Sequence, residues 1–262
     1  MSHSDQSTYA VGDIHGRADL LDPLLQAISD DSGTALPCVV FLGDVVDRGP
    51  DSREAMDLVC HALARWPRSR LIRGNHDHWF LQFMTGRGGD AGRFARWLFR
   101  TGGDATLRSY GLAGAHDLSE AASRFRNEFP VHLDALMTSA SIIVDKDVAY
   151  AHAGVDPRRP LHDQDPRDLM MIRQGFLDYE GAISHIVVHG HTPCEQPEVR
   201  EFRIGIDTGA YATGILTCLA LPEEGDTYFI QAVRRHARVT VRRVGLNHSI
   251  ATGRNATWAL TR

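Results

Sequence analysis

Six short apolar runs, each followed by a cluster of polar residues, constrain the fold of this chain more than any other feature. The runs are TYAV, CVVFL, RLI, VAYA, HIVV and FRIGI, and the clusters are GDIHG (12–16), GDVVDRGP (43–50), RGNHD (73–77), HAG (152–154), HGHT (189–192) and DTGA (207–210). Short continuous apolar runs are typical of strands buried on both faces. Gly-Asp alone is ordinary turn chemistry, but purely structural turns would not need Asp, His, Asn and Arg together.

Helical patterns separate the first strands. The segments 18–30 and 52–66 carry apolar residues at three- and four-residue spacing, so strand, polar cluster and helix alternate. This alternation predicts an α/β fold, and in such folds ligands bind where the strands end. With 262 residues, of which 43% are hydrophobic, we expect one domain spanning 1–262.

The segment from about 79 to 130 differs from the rest. It contains HWFLQFM, RFARWLF and SEAASRFRNEF, joined by glycine-rich turns. We interpret it as a helical insertion between the third and fourth strands, able to form a wall or lid over the site. Its aromatic residues are predicted to belong to the core rather than to contact a ligand: Trp79, Phe80, Phe83, Phe94, Trp97 and Phe99.

The C-terminal part alternates apolar and polar residues. GILTCLALPEE, TYFIQAV and ARVTVRRVG have period two, which indicates antiparallel strands. We expect these strands to form a second sheet that packs on the first. The final stretch, 247–262, is interpreted as a loosely docked tail.

Charge and composition exclude several classes of function. A net charge of −5 gives no basic footprint for nucleic acid, and no stretch of about 18 apolar residues predicts a membrane span. The N-terminus lacks the features of a secretory signal. Four scattered cysteines without a Cys-x-x-Cys pair are expected to be buried thiols in the cytoplasm: Cys38, Cys60, Cys194 and Cys218. We expect a monomer or weak oligomer.

Six residues of the polar clusters are candidate metal ligands. They offer carboxylate, amide and imidazole donors and no thiolate, a mixture that suits Mn²⁺, Fe²⁺ or Zn²⁺. Six ligands are too many for one catalytic metal with an open position, but they suit two metals that share a carboxylate. Such pairs generate hydroxide and neutralise phosphoryl oxygens. The candidates are Asp13, His15, Asp44, Asn75, His152 and His191.

Neighbouring residues could complete a phosphate site. His76 could donate a proton to the leaving oxygen, and Asp47 could accept a hydrogen bond that orients the His76 imidazole. Guanidinium groups match the geometry of phosphate, so we expect three arginines to bind phosphoryl oxygens: Arg48, Arg73 and Arg173.

Taken together, GDIHG, GDVVDRG, GNHD, HAG and HGHTP resemble, in sequence and order, the phosphoprotein phosphatase (PPP) family of calcineurin-like metallophosphoesterases. The bacterial and bacteriophage branch is most similar. The resemblance implies a central β-sandwich flanked by helices and two metal ions, usually Mn²⁺. Asp13, His15 and Asp44 would bind the first metal, and Asp44 would bridge to the second. The other ligands of the second metal would be Asn75, His152 and His191.

The resemblance also implies an acid pair, His76 with Asp47, and phosphate binding by Arg48 and Arg173. Asp77 stands where many members have Glu, so it is given no role. His189, two residues before His191, is expected to support the site without binding metal. DTGAYATG replaces the eukaryotic SAPNY-type loop, so eukaryotic regulatory partners cannot be transferred to this chain.

The resulting hypothesis is a metal-dependent phosphomonoesterase that acts on phosphoserine and phosphothreonine in proteins. One alternative is a symmetrical dinucleoside tetraphosphate hydrolase, although that group usually has ARG where this chain has DRG at Asp47. A second is a broad-specificity phosphatase for nucleotides or phosphotyrosine. A third, a catalytically inactive scaffold, predicts damage to the ligands or to His76, and the sequence shows none.

Overall fold

The computed structural model describes residues 7–113 and 117–246. This part of the chain contains eleven strands, and they confirm the predicted α/β class together with the helices given below. The strands are β1 (Thr8–Val11), β2 (Cys38–Phe41), β3 (Arg70–Leu71), β4 (Ile142–Asp145), β5 (Val148–Ala151), β6 (Ile186–His189), β7 (Glu198–Val199), β8 (Arg203–Gly205), β9 (Ile215–Leu221), β10 (Tyr228–Arg235) and β11 (Arg238–Gly245).

Ten α-helices and one 3₁₀-helix (Leu161–Asp163) lie among these strands in the described residues. The α-helices are α1 (Ala18–Asp31), α2 (Ser52–Arg65), α3 (Asn75–Met84), α4 (Ala91–Thr101), α5 (Gly103–Ser109), α6 (Leu118–Glu128), α7 (Pro130–Thr138), α8 (Pro166–Met171), α9 (Gln174–Leu177) and α10 (Ala210–Thr213).

Two mixed sheets form the centre of the fold. The first has the order β11–β10–β9–β1–β2–β3 and the second the order β4–β5–β6–β8–β7. Within the first sheet β1, β2 and β3 are parallel, and within the second β5, β6 and β8 are parallel. The strands that precede the six polar clusters are therefore divided equally between the two sheets.

The two sheets pack face to face over a shared apolar layer. One buried cluster contains residues from both sheets: Ala10 and Val40 of the first sheet, Ile72 next to its strand β3, and Tyr150 and Val188 of the second sheet. Side chains that alternate along a strand point to opposite faces, so each sheet has a second face to cover. The helices cover those outer faces, which gives a β-sandwich flanked by helices.

Helix α1 shows why the sequence pattern places a helix on the outer face. Its buried residues fall at three- and four-residue spacing and pack against the first sheet. Full burial of each such side chain contributes about 1.5–3 kcal/mol. They are Leu20, Leu21, Leu24, Leu25 and Ile28.

The C-terminal strands do not form the second sheet. β9 pairs antiparallel with β1, so that Thr8 lies opposite Leu221 and Val11 opposite Cys218. β10 and β11 then extend the first sheet outwards, and the second sheet is built from β4 to β8 instead. The expectation from sequence was wrong because a period-two pattern identifies a strand but does not specify its neighbour.

Five helices, α3 to α7, lie between β3 and β4. Most of the aromatic residues assigned to the core are buried there or pack against it, including Phe80, Phe83 and Trp97. Phe99 is the exception, because its side chain is 77% exposed.

The chain beyond residue 246, where a docked tail was expected, lies outside the described residues. Within 7–113 and 117–246, no helix combines the length and the apolar character needed to cross a bilayer.

Candidate active site

The carboxyl ends of strands from both sheets meet at one edge of the sandwich, and the polar clusters meet with them. Asp13 and His15 follow β1, Asp44 follows β2, and His152 and His191 follow β5 and β6. All five side chains are buried. Asn75 and His76 follow β3 and form the first turn of α3.

The backbone of these clusters is strained. Of the seven non-glycine residues with positive φ in the described chain, five belong to the clusters. Each such residue costs about 1–3 kcal/mol, and such residues concentrate at functional sites. They are His15 (φ 47°), Asp44 (φ 49°), Asp47 (φ 71°), Arg48 (φ 68°) and His191 (φ 65°).

Two glycines allow the clusters to approach one another. A Cβ atom on Gly74 would lie 2.1 Å from Asp44 Oδ1, and one on Gly190 would lie 2.0 Å from Asp13 Oδ1. Neither position can hold a side chain without moving a carboxylate. Close contact explains these glycines, because neither has a positive φ.

Two histidines turn the same ring nitrogen towards Asp44. Nδ1 of His15 donates to the carbonyl of Val46 at 2.9 Å, and Nδ1 of His152 donates to the carbonyl of Leu42 at 2.8 Å. The Nε2 atoms then lie 3.6 Å (His15) and 3.4 Å (His152) from Asp44 Oδ2. A fixed Nδ1–H that presents Nε2 is the usual arrangement of a histidine that binds metal.

Asp44 belongs to both groups of side chains that could hold a metal ion. One group is His15, Asp44 and His76, and the other is Asp44, His152 and His191; the ligand atoms of each group lie within 4.8 Å of one another. A carboxylate shared between two groups is what a pair of bridged metal ions requires. Asn75 supports the second group, because its Oδ1 lies 3.1 Å from His152 Nε2.

The donors in this site fit cations. Nε2 of His191 is buried and makes no hydrogen bond within the described residues, so in the tautomer protonated at Nδ1 it offers a lone pair to a cation. Burial and the Asp207 carboxylate raise the pKa of Asp13 well above its ordinary value. Burial alone would lower the pKa of His152, but the Asp44 and Asp13 carboxylates raise it to about 10. Buried carboxylates of this kind require compensating positive charge.

Asp13 is not in either of these two groups, and its carboxylate contacts the backbone of another polar cluster. Its two carboxylate oxygens each accept a hydrogen bond from the backbone amide of His191, at 3.2 Å. Asp13 therefore joins the end of β1 to the end of β6 across the two sheets. Of the two histidines in HGHT, the structure places His191, and not His189, in the group with Asp44 and His152.

His76 and Asp47 form a buried hydrogen-bonded pair. Nδ1 of His76 donates to Asp47 Oδ2 at 2.8 Å, and Asp47 is fully buried. Burial lowers the pKa of His76, but the carboxylates of Asp44 and Asp47 outweigh this effect and the net pKa is raised. Asp47 thus holds Nδ1 of the His76 imidazole, which also lies within reach of His15 and Asp44.

The three predicted phosphate-binding arginines are placed differently. Arg48 Nη2 lies 3.2 Å from His76 Nε2, and the Arg48 guanidinium lies 4.5 Å from the centre of the Tyr211 ring. Arg173 is exposed; burial and the charge of His152 are the main causes that lower the pKa of His191, and the charge of Arg173 adds a smaller effect in the same direction. Arg48 therefore contacts a buried histidine of the site.

Arg73 contacts a different part of the fold. Its guanidinium donates to the carbonyls of Leu136 and Met137 and to the hydroxyl of Ser139 at the end of α7. Free carbonyls at a helix C-terminus attract cations. The structure therefore does not bring Arg73 to the site, and its contacts indicate that it anchors α7.

Asp77 is a structural residue that the sequence left without a role. Its carboxylate is fully buried and accepts hydrogen bonds from the backbone amides of Val45 (2.9 Å), Val46 (3.3 Å) and Gly74 (3.2 Å). It thus fixes the loop after Asp44 against the start of α3. An acidic residue at the third position of a predicted helix is the sequence signal for such a cap.

Two residues that support the site were not predicted from the sequence to have this role. Trp97 Nε1 donates to Asp47 Oδ2 at 2.8 Å, and the Thr106 hydroxyl donates to Asp47 Oδ1 at 2.7 Å. Both come from the helical insertion, 50 and 59 positions along the chain from Asp47. No local sequence pattern could have linked them to that aspartate.

Comparison with known proteins agrees with this site. The sequence model of the calcineurin-like phosphoesterase family matches residues 7–195. Two similar curated proteins are named bis(5′-nucleosyl)-tetraphosphatase PrpE [asymmetrical]. The one from Oceanobacillus iheyensis is 26% identical over 82% of this chain and 88% of its own length. The one from Halalkalibacterium halodurans is 25% identical over 81% and 89%.

Solved structures share the fold at low identity. A candidate diadenosine tetraphosphatase has a TM-score of 0.60 at 20% identity and covers 94% of this chain and 97% of its own. A serine/threonine protein phosphatase from Saccharomyces cerevisiae has a TM-score of 0.55 at 15% identity, with 94% and 81% coverage. The family model spans well over half of the sequence, and the strand-end clusters that it includes form the site described above. The chain belongs to the calcineurin-like phosphoesterase family.

Proposed function

We propose that this chain is a metal-dependent phosphomonoesterase of the PPP type that hydrolyses phosphoserine and phosphothreonine in proteins. Calcineurin-like phosphoesterases use a binuclear divalent metal centre to hydrolyse phosphoesters, and this chain has the side chains for one. Asp13, His15 and Asp44 would hold one ion, and Asp44 would also hold the second with Asn75, His152 and His191. When bound, two such ions supply a nucleophile from water and neutralise charge on phosphoryl oxygens. We favour Mn²⁺.

The observation that carries this proposal is the hydrogen bond from His76 to the buried Asp47. The serine or threonine alkoxide is a poor leaving group and needs a proton as the P–O bond breaks. Asp47 holds Nδ1 of His76, so Nε2 is the atom that would deliver this proton. General acid catalysis of this kind contributes about 10²–10⁴-fold to the rate.

Arg48 and Arg173 are proposed to orient the phosphoryl group. Both are exposed, Arg48 contacts His76, and the charge of Arg173 acts on His191, which supports a role for both guanidinium groups in binding substrate. A guanidinium donates two parallel hydrogen bonds to phosphate oxygens, which fixes both position and direction. The contact between Arg48 and His76 would place the phosphoryl group next to the proton donor.

A second candidate function is asymmetrical hydrolysis of dinucleoside tetraphosphates. The names of the similar curated proteins favour it, and they specify the asymmetrical rather than the symmetrical reaction. The leaving group is then a phosphate, which is stable as an anion and depends less on a proton donor. The intact acid pair is our reason for preferring the phosphomonoester.

The test compares kcat/KM for a phosphoserine peptide and for diadenosine tetraphosphate, with Mn²⁺ and after chelation. We expect the peptide to be the better substrate by at least about tenfold, and we expect chelation to abolish both activities. A preference of the same size for diadenosine tetraphosphate, with AMP and ATP as products, would establish the second candidate instead. ADP as the sole product, two molecules for each substrate, would identify the symmetrical reaction.

A further inference from the structure

The carboxylate of Asp47 is held by more than its bond to His76. Oδ2 accepts from His76 Nδ1 and from Trp97 Nε1, both at 2.8 Å, and Oδ1 accepts from the Thr106 hydroxyl at 2.7 Å. Asp47, Trp97 and Thr106 are all buried. Three donors to one buried carboxylate leave it little freedom to rotate.

Thr106 also holds the backbone of Asp47. The Asp47 amide donates to the Thr106 hydroxyl at 2.8 Å and to the Ser52 hydroxyl at 3.2 Å, and the two hydroxyls lie 3.1 Å apart. Asp47 has φ 71°, a conformation that a non-glycine residue keeps only when its surroundings impose it. Thr106 thus fixes both the main chain and the side chain of Asp47.

The turn between α4 and α5 is shaped to reach this point. A Cβ atom on Gly102 would lie 2.6 Å from the amide nitrogen of Arg48, and one on Gly103 would lie 2.3 Å from the Trp97 ring. The carbonyl of Gly102 accepts a hydrogen bond from the Arg48 amide at 3.2 Å. Gly102 therefore allows the insertion to pack directly against Arg48, and Gly103 allows α5 to pack against the Trp97 ring.

We propose that Trp97 and Thr106 are positioning residues through which the helical insertion fixes the orientation of the His76 imidazole. They act through Asp47, and neither needs to contact substrate. This inference rests on the proposed role of His76 as proton donor. Loosening Asp47 would let the imidazole turn away from the leaving oxygen, so the loss should be largest for substrates with poor leaving groups.

The test uses matched variants. Trp97→Phe removes the indole N–H but keeps a ring, and Thr106→Val removes the hydroxyl but keeps the shape. Phe94→Leu is the control for Trp97, because Phe94 packs 5.7 Å from the Trp97 ring and makes no hydrogen bond to Asp47. Thr106→Ser restores the hydroxyl and is the rescue variant. Each variant is loaded with Zn²⁺ and its metal content is measured.

Two measurements are made on each variant. Proton NMR follows the Nδ1–H signal of His76, identified by its loss in His76→Asn. Rates are then measured for phosphoserine peptide and p-nitrophenyl phosphate. We expect Trp97→Phe and Thr106→Val to shift or broaden the signal. Their rate on the peptide should fall about 10-fold, a fraction of the general-acid contribution, and their rate on p-nitrophenyl phosphate should change little. Phe94→Leu and Thr106→Ser should retain the signal and the ratio of rates.

An unchanged His76 signal in both Trp97→Phe and Thr106→Val would overturn the inference. It would also be overturned if Phe94→Leu lost as much of the signal and of the peptide rate as those two variants. Failure of the proposed function appears differently. If the rate of His76→Asn falls by the same factor on both substrates, His76 is not the proton donor. The NMR comparison then still decides whether Trp97 and Thr106 position its ring.

Discussion

The backbone amide of His76 donates a hydrogen bond to Asp44 Oδ1 at 2.9 Å, so the residue proposed as proton donor is attached to the carboxylate that both candidate metal groups share. The other carboxylate oxygen of Asp44 faces His15 and His152. One aspartate therefore links the two parts of the proposed chemistry, and changes at Asp44 and at His76 should have separable effects.

Asp44→Asn should lose more metal than a change to any other ligand. The substitution removes the charge that faces both groups, whereas Asn75→Ala removes a neutral oxygen beside the second group alone. Metal analysis of protein loaded with Mn²⁺ should give about two equivalents for the parent. Asn75→Ala should hold less metal than the parent, and Asp44→Asn should hold the least. If Asp44→Asn, while folded, retained as much metal as Asn75→Ala, Asp44 would not be a shared ligand.

Arg48→Ala should reduce activity, whereas Arg73→Met should reduce stability. Loss of charge-assisted hydrogen bonds to phosphate costs about 1.5–3 kcal/mol, so Arg48→Ala should reduce kcat/KM about 10–100-fold on peptide and p-nitrophenyl phosphate alike. Arg73→Met removes hydrogen bonds to α7 and should lower the free energy of unfolding by about 1–2 kcal/mol with kcat/KM unchanged. Chemical denaturation and steady-state kinetics measure both. A selective rise in KM for Arg73→Met would return Arg73 to the phosphate site.

His132 should contribute a pH-dependent part of the stability. It accepts from Tyr110 Oη at 2.9 Å and donates to Asp57 Oδ1 at 3.0 Å. Burial lowers its pKa despite the opposing Asp57 carboxylate. As pH falls through about 6.5, the unfolded chain gains a proton that folded His132 resists, so the free energy of unfolding should fall.

Urea denaturation at pH 7.5 and pH 5.5 measures this contribution. His132→Gln should show a smaller decrease in the free energy of unfolding than the parent, because the residue that titrates has been removed. His61→Gln changes an exposed histidine on α2 and serves as the control. A decrease in His132→Gln as large as that of the parent would show that His132 titrates alike in the folded and unfolded chain.

The sequence predicted the elements of the site better than their arrangement. Strand ends with Asp13, His15, Asp44, His152 and His191 were recognisable because apolar runs and polar clusters are local patterns. The pairing of β9 with β1 was not predictable, because alternation along a strand carries no information about the adjacent strand.

Side-chain direction and long-range contacts account for the remaining differences. Arg73 lies next to the site in sequence, but its guanidinium reaches the end of α7. Trp97 looked like a core residue, and it is one, packed on Phe80 and Phe83. Only its indole N–H, which bonds Asp47 50 positions away, connects it with the chemistry.

The dependence of rate on leaving-group pKa for His76→Asn tests the central claim most directly. Parent and variant are compared on phosphoserine peptide, phenyl phosphate and p-nitrophenyl phosphate, with metal content measured in the same samples. We predict that the variant keeps its metal and loses about 10²–10⁴-fold on the peptide but far less on p-nitrophenyl phosphate, so its rates fall more steeply as leaving-group pKa rises. A dependence equal to that of the parent, with metal retained, would contradict the assignment of His76 as the proton donor.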